Sequence, residues 1–270
     1  LSANNHILDR RDKGVLRTIS AFESKGVSWI GVYRDAAHRE QHLPFIRDIN
    51  GFKIAFLNYT YGTNGIEKRT PIVIDYINRD TIASDVSRAR ENGAELIAVC
   101  IHWGDEYKLL PNSTQRSLAR YLETLGVDMI IGGHPHVIQP MELRKSEINN
   151  RSVLTVYSLG NFISAMRTTD TRGGAMVRVT LGRDADGNAM VTGASYRMVF
   201  VQPPVKKGDN FRLLPAESED VHPSMELRRK GFIRNARTIF DRHNINVPMD
   251  TTAIVSQDAV SCPSDTLKGI

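Results

Sequence analysis

Cysteine is scarce in this sequence, with two residues among 270. Cys100 lies inside the apolar run 96–101, where a buried and unreactive thiol is expected. Cys262 lies in a polar stretch near the C-terminus. Two cysteines in such settings provide no framework of disulfides, and they leave the redox compartment of the protein open.

Long apolar runs are also lacking, since none approaches the roughly 18 residues that are needed to cross a membrane. No signal-peptide pattern is present at the start of the sequence. The opening residues 1–6 are mostly polar and contain no methionine, which indicates a processed chain, a cut fragment or an incomplete gene model. We therefore expect any export signal or anchor to lie outside this sequence.

A strong excess of either charge is absent, since 35 lysine and arginine residues face 30 aspartate and glutamate residues. Basic clusters occur at 10–11, 206–207 and 228–230. A basic surface can attract nucleic acid, anionic lipid or an acidic polymer, although solvated helix faces and loops are the ordinary origin of such clusters. Because no motif interleaves aromatic with basic residues, we expect no nucleic-acid partner.

What is present is an alternation of helical and strand patterns, which is typical of the α/β class. Apolar positions at helical spacing predict helices over 12–25, 75–92 and about 224–243. Short apolar runs predict strands over 27–32, 54–57 and 153–159. Residues 175–181 and 190–201 are predicted to form a hairpin that turns through 184–188.

The composition changes after Pro203-Pro204. We therefore expect residues 1–202 to form the main domain. Residues 203–270 are expected to supply a linker, a helix and a polar tail that has little to bury.

The stretch 96–136 has the pattern of a βαβ unit. Its first strand, 96–101, is continuously apolar, as in a strand covered on both faces. Asn112 or Ser113 can cap the following helix, and residues 127–131 form the second strand. Such units have parallel strands, so the loops after both strands meet at the carboxyl edge of the sheet, where open α/β sheets place their sites.

Histidines follow both of these strands. His102 comes directly after the first strand, and His134 and His136 follow the second. Imidazole is a common ligand for zinc, manganese and iron, and the i, i+2 spacing in an extended loop lets two rings face one side. The pattern therefore predicts a metal site, and the alternative is that the three imidazoles only satisfy hydrogen bonds in the core.

The remaining histidines have no such position. They lie either away from strand ends or in the C-terminal extension, and we predict that none is a ligand: His38, His42, His222 and His243. His6 differs, because it follows Asn5 at the start of a helical pattern and precedes Asp9 by three residues.

Four segments in this order closely resemble the motifs of the CapA family of capsule-synthesis proteins. They are Ala-Asn-Asn-His at 3–6, His-Trp-Gly-Asp-Glu-Tyr at 102–107, Gly-Gly-His-Pro-His-Val at 132–137 and Ser-Leu-Gly-Asn-Phe at 158–162. The resemblance covers about residues 1–200. It implies an α/β calcineurin-like metallophosphatase sandwich, α/β/β/α in layers, which lacks its first strands and carries a C-terminal helical extension.

The resemblance also implies residue roles. Asn5 would bind metal through its amide oxygen, together with His102, His134 and His136. His6 would be the general acid, with Asp9 orienting it. Glu106, Gln139 and Asn161 would lie behind the ligands or face the substrate, although Gly160-Asn161 could equally be a turn.

The family's fold normally begins with a strand ending in Gly-Asp and a second strand that supplies an acidic ligand, and neither has a counterpart before residue 3. Without these bridging carboxylates, two neighbouring cations are poorly neutralised. We therefore expect divalent manganese, zinc or iron, two ions in the intact protein, and one or none in this stretch alone.

Two functions follow from the resemblance. The first is a metal-dependent hydrolase, of phosphoesterase type, in capsule or poly-γ-glutamate biosynthesis. The second is a component that binds or exports an anionic polymer and keeps a degenerate metal site. Either reading implies an anionic polymer or phosphoester as ligand, other capsule-synthesis components as partners, and a place in the cell envelope.

Overall fold

The computed structural model describes residues 1–69 and 71–252. Its strands are β1 (Val32–Tyr33), β2 (Phe45–Ile49), β3 (Phe52–Thr60), β4 (Val73–Ile74), β5 (Leu96–His102), β6 (Met129–Gly133), β7 (Met141–Lys145), β8 (Ser152–Val156), β9 (Gly173–Arg183), β10 (Ala189–Gln202) and β11 (Arg212–Pro215). Its α-helices are α1 (Arg11–Ser24), α2 (Ala36–His42), α3 (Arg79–Glu91), α4 (Ser113–Thr124) and α5 (Glu226–His243). Short 3₁₀ turns precede β9 and α5.

The central sheet has six strands in the order β2-β3-β5-β6-β8-β7. Its four inner strands are parallel, and each edge strand is antiparallel to its neighbour. β5 is buried along nearly its whole length, as its continuous apolar pattern predicts. The register pairs Thr60 with His102 and His102 with Gly133, so the carboxyl ends of three strands lie side by side.

Helices α3 and α4 cover one face of this sheet. Their apolar sides, which include Ile82, Val86 and Leu122, are buried against alternate residues of β3, β5 and β6. Asn112 caps α4 and Gln115 returns the hydrogen bond, which completes a capping box. This layer fixes the angle at which the βαβ unit presents its loops.

A second sheet, of order β11-β10-β9, packs against the other face. Helix α5 contributes to the same core, since the rings of Phe240 and Tyr196 lie 4.2 Å apart and those of Phe232 and Phe200 lie 6.4 Å apart. Leu214 of β11 is buried in it as well. Residues 203–252 therefore share the core of the preceding region.

The predicted α/β class is confirmed, and so are the helices near 12–25, 75–92 and 224–243 and the hairpin of β9 and β10. The predicted strand 27–32 is wrong apart from Val32, because β1 pairs only with the two-residue β4 and residues 27–31 have no ladder partner. Burial raises the pKa of the Cys100 thiol to about 11, as expected of an unreactive cysteine.

Cys262 and the greater part of the predicted tail lie outside the described residues. Among the helices of residues 1–69 and 71–252, none combines the length and the apolarity that a membrane span requires.

Candidate metal-binding site

Two strand ends bring the first imidazoles together. His102 is the last residue of β5, and His134 follows the last residue of β6. The backbone nitrogen of Trp103 donates to the carbonyl of Gly133 over 3.1 Å, which continues the pairing of the two strands past their ends. The rings of His102 and His134 consequently lie 4.8 Å apart between centroids.

The N-terminal segment is tied to the same edge of the sheet. The Ala3 nitrogen donates to Asn58 Oδ1 over 2.9 Å, and Asn58 Nδ2 donates to the Cys100 carbonyl over 3.0 Å. Gly31 permits this approach, since a Cβ there would lie 2.5 Å from Asn58 Oδ1 and 2.7 Å from the Ala3 nitrogen. These contacts deliver Asn5 to the strand ends.

Asn5 is buried beside His102. Its Oδ1 lies 2.9 Å from His102 Nε2, and its Nδ2 donates to Asn64 Oδ1 over 3.1 Å. Because the amide oxygen only accepts, His102 donates from Nε2 in this arrangement. Two ligands of one ion at about 2.1 Å would lie about 3 Å apart at right angles, so this spacing suits a shared cation.

The loop after β6 is not the extended segment that the i, i+2 spacing suggested. His134 has a φ of 103° and His136 a φ of 60°, both in the region that side chains rarely adopt. Their rings are 6.2 Å apart between centroids, so the turn still gathers them on one side. Each such residue costs on the order of 1–3 kcal/mol, a strain that clusters at functional sites.

Asn161 orients the third histidine. Its Oδ1 lies 3.0 Å from His136 Nδ1, while its Nδ2 donates to the Thr171 carbonyl over 3.0 Å. Glu106 Oε1 lies 3.9 Å from the opposite nitrogen, His136 Nε2. The side chain of Asn161 therefore has a contact with the site in addition to its place in a turn.

His6 and Asp9 form a separate pair on the rim. His6 Nδ1 lies 2.9 Å from Asp9 Oδ2, and both side chains are exposed. The charge that His6 carries when protonated contributes to lowering the pKa of both His102 and His134. His6 therefore borders the imidazoles without joining them.

Gln139 does not open onto the site. It is fully buried, its Oε1 accepts from Gln115 Nε2 over 2.8 Å, and its Nε2 donates to the Lys108 carbonyl over 2.8 Å. With both ends of its amide satisfied by the protein, Gln139 braces helix α4 and the loop after β5 and has no free group for a substrate. Of its two expected positions, behind the ligands or facing the substrate, these contacts favour the first.

Sequence reasoning missed two residues of the loop after β3. The ring of Tyr61 lies 4.7 Å from that of His134 and is nearly parallel to that of His102, and Asn64 holds the amide of Asn5. β3 is parallel to β5, so its loop also leaves at the carboxyl edge. The position of this loop at the carboxyl edge of the sheet could have identified Tyr61 and Asn64 as site residues.

Trp103 and Gly132 support the site from below. Trp103 Nε1 donates to the Tyr157 carbonyl over 2.9 Å. A Cβ on Gly132 would lie 2.1 Å from that carbonyl oxygen, so the residue must be glycine for β6 to pack against the turn after β8. Gly132 therefore serves the packing of β6 against this turn.

The other histidines are occupied elsewhere. His38 Nδ1 accepts from the Arg34 nitrogen over 3.1 Å, and His42 Nδ1 lies 2.8 Å from the His38 carbonyl. His222 lies beside Ser224, within the C-terminal region. None of these three lies among the residues that surround Asn5.

A comparison with known proteins decides the family. The sequence profile of the family described as "Bacterial capsule synthesis protein PGA_cap" matches residues 1–166. The chain belongs to this family. The resemblance to CapA proteins is thereby confirmed, and the calcineurin-like fold class predicted with it agrees with the mixed central sheet and the C-terminal helix.

Two curated relatives agree with this assignment. "PGA biosynthesis protein CapA" of Bacillus subtilis (strain 168) is 32% identical over 194 residues, which cover 71% of this chain and 49% of the relative. "Capsule biosynthesis protein CapA" of Bacillus anthracis is 30% identical over 184 residues, which cover 66% of this chain and 43% of the relative. The chain thus spans about half the length of the curated relatives it matches.

A solved structure was also matched, "Termus thermophilus Sulfate thiohydrolase SoxB in complex with glycerol". The similarity has a TM-score of 0.43 at 14% sequence identity, and it covers 86% of this chain and 35% of that chain.

We call the group of Asn5, His102, His134 and His136 the histidine site. The fold family suggests that such a site binds divalent metals. Burial, followed by the charges of neighbouring histidines, lowers the pKa of His102 to about 3, and burial also lowers the pKa of His134. His102 is therefore neutral near pH 7, the state in which imidazole binds metals.

The donor atoms of the histidine site are of the types that bind divalent cations. His134 Nδ1 is buried and has no hydrogen-bond partner in the part of the chain that the structure describes. The same residues contain no group of three His, Cys, Asp or Glu side chains that could hold an ion by themselves. The amide oxygen of Asn5 is outside that ligand set, and it supplies the donor beside His102.

Proposed function

We propose that this chain forms the histidine-bearing part of a divalent-metal centre in a hydrolase of capsule-polymer synthesis. The substrate class is a phosphoester, or an amide, of an anionic polymer in the cell envelope. Membership of the PGA_cap family supports the biological process, and the histidine site supports the chemistry.

One observation carries the proposal. A buried imidazole nitrogen without a partner costs free energy unless something binds it. His134 Nδ1 is such an atom, and the ring that carries it lies 4.8 Å from that of His102, which is neutral and in contact with Asn5. A cation in contact with these groups satisfies the open nitrogen.

Divalent metal, when bound, supplies a nucleophilic water near neutral pH and polarises the bond to be cleaved. Asn5, His102, His134 and His136 would hold it. His136 is kept in orientation by Asn161, which in turn is held by the Thr171 carbonyl. Tyr61 closes one side of the pair His102 and His134 against water.

The pair of His6 and Asp9 handles the proton. Asp9 accepts a hydrogen bond from His6 Nδ1, which fixes the ring and leaves Nε2 to pass a proton to the leaving group. Both side chains are exposed on the rim, where a departing polymer end can reach them.

The test combines metal analysis with turnover of a chromogenic phosphodiester by the full-length protein. We expect bound manganese, zinc or iron and metal-dependent hydrolysis in the wild type. The double variant His134→Ala with His136→Ala should lose at least about tenfold in metal affinity, since two ligands are removed. His6→Ala should retain metal and lose about 10²–10⁴-fold in turnover.

The matched control removes two histidines outside the site, His222→Ala with His243→Ala, and it should behave as the wild type. Metal content that is equal in the two double variants would refute the proposed ligands. It would favour the reading in which the imidazoles serve only the packing of the loops.

A second function is favoured by one observation, the lack of a carboxylate in contact with Asn5 or His102 among the described residues. Asp105, which acts on His134 through space, accepts a hydrogen bond from Asn112 Nδ2 over 2.8 Å. A neutral ligand set suits a component that binds or exports an anionic polymer with a degenerate metal site. Bound metal without turnover in the full-length protein would select this function.

A further inference from the structure

Arg172 is a buried arginine whose side chain has no partner among the described residues. The residue is 4% exposed, and its Nε is inaccessible and makes no hydrogen bond within the described chain. By contrast, Arg39, whose side chain is 12% exposed, contacts two aspartates. Burying a guanidinium without an anion is costly, so such residues are normally paired.

Two further arginines act on the same group. Burial lowers the pKa of Arg172, and the charges of Arg228 and Arg167 lower it further. Both neighbours are exposed, and neither forms an ion pair with a described residue. Arg172 is therefore buried within electrostatic reach of two exposed arginines.

The nearby carboxylates are committed to other groups. Glu226, in the first turn of α5, contacts Arg229 over 2.7 Å and Lys230 over 3.3 Å. Asp170 accepts from Asn235 Nδ2 over 2.7 Å. Neither of these carboxylates forms an ion pair with Arg172, Arg167 or Arg228, so these positive charges have no counterion among residues 1–69 and 71–252.

The position of Arg172 is fixed by close packing. A Cβ on Gly173 would lie 2.7 Å from the Phe232 ring, and one on Gly231 would lie 3.2 Å from Thr169 Cγ2, so helix α5 rests directly on this turn. The carbonyl of Arg172 accepts from the Val201 nitrogen over 2.7 Å. The guanidinium therefore belongs to a rigid part of the fold.

We propose that Arg172, Arg167 and Arg228 form a binding pocket for an oxyanion, with the buried guanidinium of Arg172 as its specific contact. Guanidinium groups bind carboxylate and phosphate through paired, charge-assisted hydrogen bonds. Phosphate and the carboxylates of an acidic polymer share this chemistry. The Thr171 carbonyl accepts a hydrogen bond from Asn161, which also contacts His136, so the Asn161 side chain joins the pocket to the histidine site.

The pocket is testable without metal. Full-chain protein is stripped with a chelator and dialysed, and it is then titrated calorimetrically with inorganic phosphate and, separately, with tetraglutamate. We expect saturable binding of at least one probe. Saturation by phosphate alone or by tetraglutamate alone identifies which source of the oxyanion the pocket accepts.

Arg172→Met removes the charge and keeps an apolar side chain of similar length. We expect it to weaken binding by at least about tenfold, while Arg212→Met, at an exposed arginine on β11, leaves affinity unchanged. Equal affinity of Arg172→Met and wild type would overturn the pocket, as would the absence of saturation by either probe.

A second variant protects the test against misfolding of Arg172→Met. Arg167 and Arg228 are exposed, so replacing both with alanine leaves the core intact. We expect binding to weaken about threefold or more and its dependence on salt to fall. Unchanged affinity in this variant would show that the three arginines do not act together.

Discussion

Two clusters of buried polar groups in this protein are built on opposite plans. In the Arg39 cluster, which comprises Arg39, Tyr59, Asp75 and Asp85, every group contacts another member. Arg39 reaches Asp75 over 2.7 Å and Asp85 over 2.5 Å, and Tyr59 donates to Asp85 over 2.7 Å. In the histidine site, His134 has a buried nitrogen that makes no hydrogen bond within residues 1–69 and 71–252.

The difference separates a structural role from a binding role. The Arg39 cluster satisfies its polar groups from within and joins α2 to β3, α3 and the residue that follows β4, so nothing needs to be added to it. The histidine site has a neutral His102, strained backbone at His134 and His136, and a buried His134 nitrogen that forms no hydrogen bond with any described residue. Mutations and metal binding that change whether each buried polar group has a partner should therefore separate the two clusters.

The largest expected effect comes from removing the cation of the Arg39 cluster. Arg39→Met leaves Asp75 and Asp85 buried without their cation, and the free energy of unfolding should fall by about 3–5 kcal/mol. Urea denaturation measures the change. Arg237→Met breaks the exposed pair with Asp241 as a control and should cost less than about 1 kcal/mol. Equal losses of unfolding free energy in Arg39→Met and Arg237→Met would contradict the structural role of the Arg39 cluster.

Metal binding at the histidine site should have the opposite effect and stabilise the folded protein. A metal present at a hundredfold excess over its dissociation constant stabilises the folded state by about 2.7 kcal/mol. We expect urea denaturation with and without manganese or zinc to reveal this increment in the wild type. The stability increment should be unchanged in a control such as Arg237→Met, which lies elsewhere. It should be absent in the double variant His134→Ala with His136→Ala. An increment that persists in the double variant would place the metal elsewhere.

A smaller effect is expected where the N-terminal segment is anchored. Asn58→Ala leaves the Ala3 nitrogen and the Cys100 carbonyl without their buried partner, at a cost of about 2 kcal/mol. Since Asn5 depends on this anchor, metal affinity should fall together with stability. Asn112→Ala, which removes the cap of α4, should cost about 1 kcal/mol and leave metal affinity unchanged. Loss of metal affinity in the cap variant as well would argue against a specific anchor.

The sequence predicts the long elements well, because their burial is strongly periodic. β5 and β6 and the helix between them follow from the apolar runs and from the cap at Asn112. Short edge strands are harder to predict, since β2 and β7 are only partly buried. Asn50-Gly51 was a usable signal for β2, because both residues have positive φ and form the tight turn of a hairpin with β3.

For the histidine site, position in the chain predicts which residues meet but not how they meet. Strand order brings His102 and His134 together without any knowledge of rotamers. The left-handed backbone at His134 and His136 depends on tertiary contacts that no local pattern encodes. The contact of Asn64 with Asn5 spans 59 residues, and the unpartnered Arg172 becomes conspicuous only once its surroundings are known.

The smallest expected effect is the pH dependence of protein stability that Asp75 of the Arg39 cluster causes. Burial raises the pKa of Asp75 above its ordinary value of 3.8, against the opposing charge of Arg39. The folded state therefore binds this proton more tightly than the unfolded state does. The resulting stabilisation is complete below about pH 4 and is lost as the pH rises through the raised pKa.

Asp75→Asn keeps an acceptor for Arg39 and removes the titration. In urea denaturation at a series of pH values, the wild type should lose stability relative to Asp75→Asn as the pH rises from about 4, and the difference should then level off. Asp184 supplies the reverse case, because hydrogen bonds from Asn188 lower its pKa. Relative to Asp184→Asn, the wild type should lose stability as the pH falls. If both comparisons ran in the same direction, burial would not be what sets the pKa of Asp75.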